Sequence, residues 1–308
     1  MHRTIEASVS SERTDAIVKE LSGHPQVVGL NVLRSASLKP PGDTLSIHVL
    51  NKGADDVLRT LTKFTAGSDF SIITSELASI NDPKNQKQID KDIDEAIWEE
   101  METGLRHNGR LTPNYLMLMA IGGIMAAIGF VSEIHNLVIA FVAASIIAPG
   151  LEPLAKIPLG LVLRKKDVLW TGLKASLVGY LMIALFAALT FWFLQTFSHI
   201  HPEQFLENEA TKGLMKIPLK DFLLSSVAAA ASIIMYLSYR TNVIAGPLIA
   251  LILIPATAAI GMCLSLGEWT HALAILKRLG VDIGLIVGTG VVLIYIKQKL
   301  VHKRNPMR

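Results

Sequence analysis

Three ionisable residues stand inside otherwise apolar stretches of this chain: Glu152, Lys156 and Asp282. Charged side chains in hydrocarbon are expensive, so residues of this kind mark ion, proton or solute handling by default. Glu152 lies between Pro149-Gly150 and Pro153, and Lys156 follows four residues on, a spacing that lets the two pair on one helix face. A proline has no N–H and frees the carbonyl four residues earlier. Pro149 thereby frees Ser145, and Pro255 frees Leu251. A freed carbonyl at membrane depth must face protein or a water-filled cavity. The expected helix breaks are therefore Pro149, Gly150, Pro153 and Pro255. The candidate substrate- or ion-binding residues are Glu152, Lys156, Ser145, Asn136, Asn242 and Asp282. Glu152 leads them, for cation coordination or proton exchange. A structural Glu152–Lys156 ion pair and a simple kink relieved by a neighbouring Ser or Thr are the competing readings.

Composition narrows the function classes. The 308 residues are 51% hydrophobic and 18% charged, with a mean hydropathy of +0.43, against roughly 25% charge in ordinary soluble domains. That argues against a soluble enzyme and against disorder. A formal charge of +3 without a long basic run argues against nucleic-acid binding. The single cysteine, Cys263, excludes an internal disulfide and a CxxC site. Walker A, HExxH and GxSxG patterns do not occur, so neither nucleotide-driven transport nor an enzyme is supported. No cofactor is expected, and no metal ligand set is assigned.

The elements that must position these residues are membrane helices. Apolar runs long enough to span a bilayer fall at 114–132, 136–160, 170–194, 221–238, 242–266 and 279–296. The excess of Arg and Lys beside alternate ends places both termini in the cytoplasm, in a multi-pass protein of the inner (cytoplasmic) membrane. The segment 136–149 aligns with 242–255 at an offset of 106, matching Asn136 to Asn242 and Pro149 to Pro255. Dropping three loop residues lays Lys174 on Lys277. The unit is three helices, an odd number, so two units (about 113–197 and 219–300) enter the membrane from opposite sides. This 3+3 inverted repeat with paired breaks is a transporter pattern.

Residues 1–84 read as strand-helix-strand-strand-helix-strand, the ferredoxin-like split motif, with strands near Thr4–Val9, Val27–Leu33, Leu45–Leu50 and Phe70–Ile80. The polar N-terminus carries no secretory core, which keeps this domain cytoplasmic. Residues 85–112 predict an acidic amphipathic helix whose stripe is Ile89, Ile93, Ile97, Met101 and Leu105; its many carboxylates suit packing on protein better than on anionic lipid. Gly122, Gly123 and Ala126, and the Gly284-x-x-x-Gly288 pair, allow close helix approach, within the bundle or at a homo-oligomer interface. The expected architecture is thus an α+β ferredoxin-like (βαββαβ) domain followed by a bundle of about six transmembrane helices. The expected function is a channel or secondary transporter for an ion or small polar solute. The alternative is a membrane-anchored sensor or scaffold whose N-terminal domain binds a small ligand or partner protein.

At SIIAPGLEPLAKIPLG (145–160) and LILIPATAAIG (251–261) the sequence resembles a bacterial and archaeal membrane family known as the uncharacterized hydrophobic domain family. The resemblance covers the membrane part and implies this architecture, with a small α/β domain ahead of the helices. It carries over no activity, ligand or site residue.

Overall fold

A computed structural model describes residues 2–77, 79–93, 95–102, 109–238 and 245–301. The chain divides into two compact units, residues 1–100 with 298–308, and residues 101–297.

The first unit is built on a four-stranded antiparallel sheet in the order β2-β3-β1-β4. Its strands are β1 (His2–Val9), β2 (Val27–Leu38), β3 (Pro41–Val49) and β4 (Ser71–Leu77). Helix α1 (Ser11–Ser22) connects β1 to β2, and α2 (Asn51–Thr65) connects β3 to β4. Alternation puts Ile5, Ala7 and Val9 of β1 and Leu45, Ile47 and Val49 of β3 on one face, where they bury against Ile17 and Leu21 of α1 and Val57, Leu58 and Leu61 of α2. The hairpin between β2 and β3 is tighter than the sequence suggests. Gly42 enters β3 at φ 149°, and a Cβ there would sit 2.1 Å from the carbonyl oxygen of Val9, so only glycine fits. The neighbouring Asp43 accepts from the Ser35 amide (2.8 Å) and the Ser11 hydroxyl (2.7 Å) and pairs with Arg34 at 3.0 Å. These donors, the Ser35 amide foremost, hold its carboxyl well below the usual carboxylate range.

The acidic segment is not the continuous helix its periodicity predicts. A four-residue helix, α3 (Gln86–Ile89), gives way to irregular backbone before helix resumes at 98–102; residues 103–108, with Leu105, lie outside the described set. The cause is competition for backbone groups. Leu50, ahead of α2, has no side chain able to cap, so Asp92 supplies one, accepting from the Asn51 amide at 2.7 Å. The Asn51 amide side chain donates to the Ile93 and Glu95 carbonyls at 2.8 and 2.7 Å. Arg3, wholly buried, donates to Glu95 O and grips Glu100 through two 2.7 Å bonds. These bonds straighten the segment and drop Ile97 into the core. Removing one partner of a buried ion pair costs about 3–5 kcal/mol, since the other charge stays buried. Glu100→Ala is therefore expected to strip hydrogen-exchange protection from the β1 amides; unchanged protection would show the pair to be dispensable.

The second unit is helical. It contains α4 (Pro113–Phe130), α5 (Ile134–Ile147), α6 (Leu151–Val162), α7 (Lys166–Ser198), α8 (Pro202–Leu206), α9 (Glu209–Leu214), α10 (Leu219–Leu237) and α11 (Ala245–Ser265); α12 (Trp269–Leu300) begins in it and runs past its last residue. Helix α4 starts where Thr112 accepts from the Tyr115 amide and Pro113 fills the first turn. Among the described residues four helices are long and apolar enough to cross a membrane: α4, α7, α10 and α12. Helices α5 and α6 make a fifth span if counted together, with a 48° bend between them. The remaining expected span, 242–266, corresponds to α11, whose described side chains begin at Ala250 and form a shorter apolar helix.

Helix α7 is central. Its buried face, Gly172, Ala175, Gly179, Ile183, Ala187 and Phe191, recurs at helical spacing, while Leu173, Leu177, Leu181, Leu185 and Leu189 point outward. An apolar outer surface of this kind is what a bilayer solvates. Glycines set the closest approaches. A Cβ at Gly123 of α4 would lie 2.5 Å from Ile183 O of α7, and one at Gly261 of α11 would lie 2.0 Å from Ala184 O. Helices α4 and α7 run parallel, as the pairs Tyr115–Ala175 and Gly123–Ile183 require. Helices α10 and α12 do the same through Asp221–Arg278, Ile233–Gly290 and Leu237–Lys297.

Candidate functional site

The bend between α5 and α6 falls on Ala148, Pro149 and Gly150. Ala148 still donates to Ala144 O at 2.9 Å, whereas Pro149 has no N–H to offer Ser145. Gly150 starts α6, and its carbonyl accepts from the Tyr180 hydroxyl at 2.9 Å. Ile254 and Ala250 of α11 reach this point too, 3.8 and 3.9 Å from where a Gly150 Cβ would stand. The break in the first apolar set is therefore floored by the middle helix of the second.

Glu152 sits in the first turn of α6, where the helix dipole favours a negative charge. Tyr236 of α10 lies near its carboxylate. Tyr115 of α4 and Tyr180 of α7 lie close enough to feel its charge, and the Tyr115 hydroxyl donates to Ala175 O at 2.9 Å. Oε2 of Glu152 is buried and finds no hydrogen-bond partner among the described residues. An unpaired carboxylate oxygen shut off from solvent is costly unless it binds a proton or another positive group.

Lys156, 2% exposed, directs Nζ to Gly109 O at 2.6 Å. Helix α7 closes over it at Gly172, where a Cβ would lie 2.7 Å from both Lys156 Cβ and Pro153 O. Lys156 lies near enough to Glu152 for its charge to act on the carboxylate.

The other expected site residues divide. Ser145 is buried beside the break, but its hydroxyl donates to Val142 O at 2.7 Å within its own helix. Asn136 is exposed on the first turn of α5, roughly 16 Å of helix before the break, so it is not part of the cluster. Asn242 lies outside the described residues. Pro153 does not break the chain; it occupies the first turn of α6, where a missing N–H costs little. Pro255 is no break either: α11 runs through it from Ala245 to Ser265. Thr257, two residues on, donates to Leu253 O at 2.7 Å.

Asp282 forms a separate centre. It is 5% exposed, with Oδ2 3.7 Å from Arg278 Nε and Ser225 of α10 nearby. Sequence inspection missed the tyrosines. Three of the chain's five tyrosines surround Glu152, and the available signal was a phenol inside an apolar run, since a buried hydroxyl demands a partner.

Residues 145–288 match a domain of unknown function, DUF389. The DUF389 region opens at Ser145, one helical turn before the break, and closes at Gly288, beyond Asp282. It thus contains Glu152, Asp282 and both proline motifs that suggested a family of unknown function. No curated protein and no solved structure matches the chain.

Proposed function

We propose that this chain is an integral membrane channel or secondary transporter for an ion or small polar solute, with Glu152 as the exchange site. The observation that carries the reading is the buried, unpartnered Oε2 of Glu152 at a proline-generated helix break. A group that costly is retained where it binds and releases something.

Pseudo-symmetry supports the same reading. Under the sequence offset, Tyr115 corresponds to Asp221 and Ala175 to Arg278. Each pair ties the first helix of its set to the third, by Tyr115–Ala175 in one and Asp221–Arg278 in the other. The middle helices exchange partners: Gly261 of α11 sits on Ala184 of α7, and Pro158 of α6 sits on Gly290 of α12. Two three-helix units of opposite orientation would produce this reciprocity, and transporter sites lie at such repeat interfaces. The strand order of the first unit fits a ferredoxin-like domain. Gly284 and Gly288 meet nothing within 4 Å, leaving a small-residue face for a second copy in an oligomer.

The test is flux by the purified full chain in sealed liposomes, read with dyes for protons and alkali cations and by osmotic shrinkage for neutral solutes. Wild-type protein is expected to raise flux of at least one species above that of protein-free liposomes, and Glu152→Gln to lose it. Flux at the protein-free level for every species would contradict the proposal.

A further inference from the structure

Helix α10 presents Ser225 and Ser232 on its buried face, with Tyr236 one turn beyond. It lies beside Asp282 at Ser225 and beside Glu152 at Tyr236. Ser225 and Tyr236 are separated by roughly 16 Å of helix. The two carboxylates have the same design. Oδ2 of Asp282, like Oε2 of Glu152, is buried and has no hydrogen-bond partner among the described residues. Each has a base four residues away that also binds main-chain oxygen: Lys156 on Gly109 O, and Arg278, which is paired with Asp221 and has Nε 3.7 Å from Asp282, on Gly213 O (3.1 Å) and Lys216 O (2.8 Å).

Resting on the reading of Glu152 as the exchange site, we propose that Asp282 is a second proton-binding station, joined to Glu152 by a proton path along the buried face of α10. Charge accounting favours a proton. The charged groups facing Asp282 are Arg278 on its own helix and Asp221 on α10, and these two already pair at 3.0 Å. Asp282 is the carboxylate in excess, and a buried excess charge is neutralised most cheaply by protonation. A metal cation would need several oxygen ligands and would stand against Arg278 Nε, 3.7 Å from the open oxygen. A proton needs only the lone pair of Oδ2; on release the O–H bond breaks and the pair stays on oxygen. Between Ser225 and Ser232 the buried face of α10 carries only the methyl groups of Ala228 and Ala229. Crossing that stretch, roughly 10 Å of helix, takes about three waters at ordinary hydrogen-bond spacing.

The experiment uses the full chain in sealed liposomes loaded with a pH-sensitive dye, driven by a potassium diffusion potential. Wild-type protein is expected to acidify the lumen, Asp282→Asn to slow this about tenfold or more, and Asp282→Glu to restore most of it. The double variant Arg278→Gln/Asp282→Asn is expected to stay slow; recovery of flux there would mean Asp282 only balances Arg278 and would overturn the proposal. Loss of flux in Glu152→Gln with a wild-type rate in Asp282→Asn would overturn the second station and leave the Glu152 site standing. Sodium flux without proton flux would also overturn it. Should Asp282→Asn fail to fold, the pH-difference infrared spectrum of Asp282→Glu decides: a shifted protonated-carboxyl band supports the station, an unshifted one refutes it.

Discussion

Glu152→Gln is expected to abolish flux through the reconstituted protein while leaving the helical unit folded. The side chains are nearly isosteric, so the packing of Gly172 against Lys156 and Pro153 is undisturbed. What disappears is the ability to take up and give back positive charge at the α5–α6 break. Gln at this position puts an amide where Oε2 now lacks a partner, a desolvation cost of about 1–3 kcal/mol. That is tolerable for folding in a unit with so extensive a buried core. Flux should fall about a hundredfold or more, the consequence of losing roughly 3 kcal/mol at an essential step. Size-exclusion elution together with liposome flux reads both halves of the prediction. Unaltered flux would remove Glu152 from the site.

The second large effect concerns packing. Gly261→Ala adds a Cβ that would meet the backbone of α7 at 2.0 Å from Ala184 O, 2.6 Å from its carbonyl carbon and 2.8 Å from its Cα. Backbone cannot swing aside as a flexible side chain does, so α7 and α11 must separate. Overpacking of this kind costs about 1–3 kcal/mol or more. Gly284→Ala is the matched control, since nothing lies within 4 Å of it. Buried Cys263, the only cysteine, provides the readout: its reaction with a thiol dye on heating reports unfolding of the same helix. Gly261→Ala should react at a clearly lower temperature than wild type, and Gly284→Ala at the wild-type temperature in detergent. Equal melting of all three would contradict the close crossing.

Periodicity revealed much of the architecture, because helix and strand burial repeat at fixed spacings. The alternation Ile5-Ala7-Val9 and the apolar runs led directly to β1 and the long helices. It failed between Ile89 and Ile97, where an isoleucine stripe was overridden by the Asp92 cap on Asn51 and by Arg3, contacts made between residues 41 to 97 positions apart. The prolines told a similar story. At Pro149 the helix ends, and Tyr180 donates to the carbonyl of the following Gly150. At Pro255 it does not: α11 continues through it. Glu152 and Lys156 were legible as intramembrane charges, yet their partners were not. Tyr115, Tyr180, Tyr236 and Gly109 come from four different parts of the chain, and only the packing of α4, α7 and α10 around α6 assembles them.

The proposed opposed orientation of the two helix sets is best tested by sidedness. In a Cys263→Ala background, single cysteines replacing Asn136 and Asn242 would be challenged with a membrane-impermeant thiol reagent from each face of sealed, oriented vesicles. Two oppositely inserted three-helix units predict that position 136 reacts from one face and position 242 from the other. Reaction of both from the same face would contradict the pseudo-twofold arrangement and, with it, the exchange role assigned to the break at Glu152.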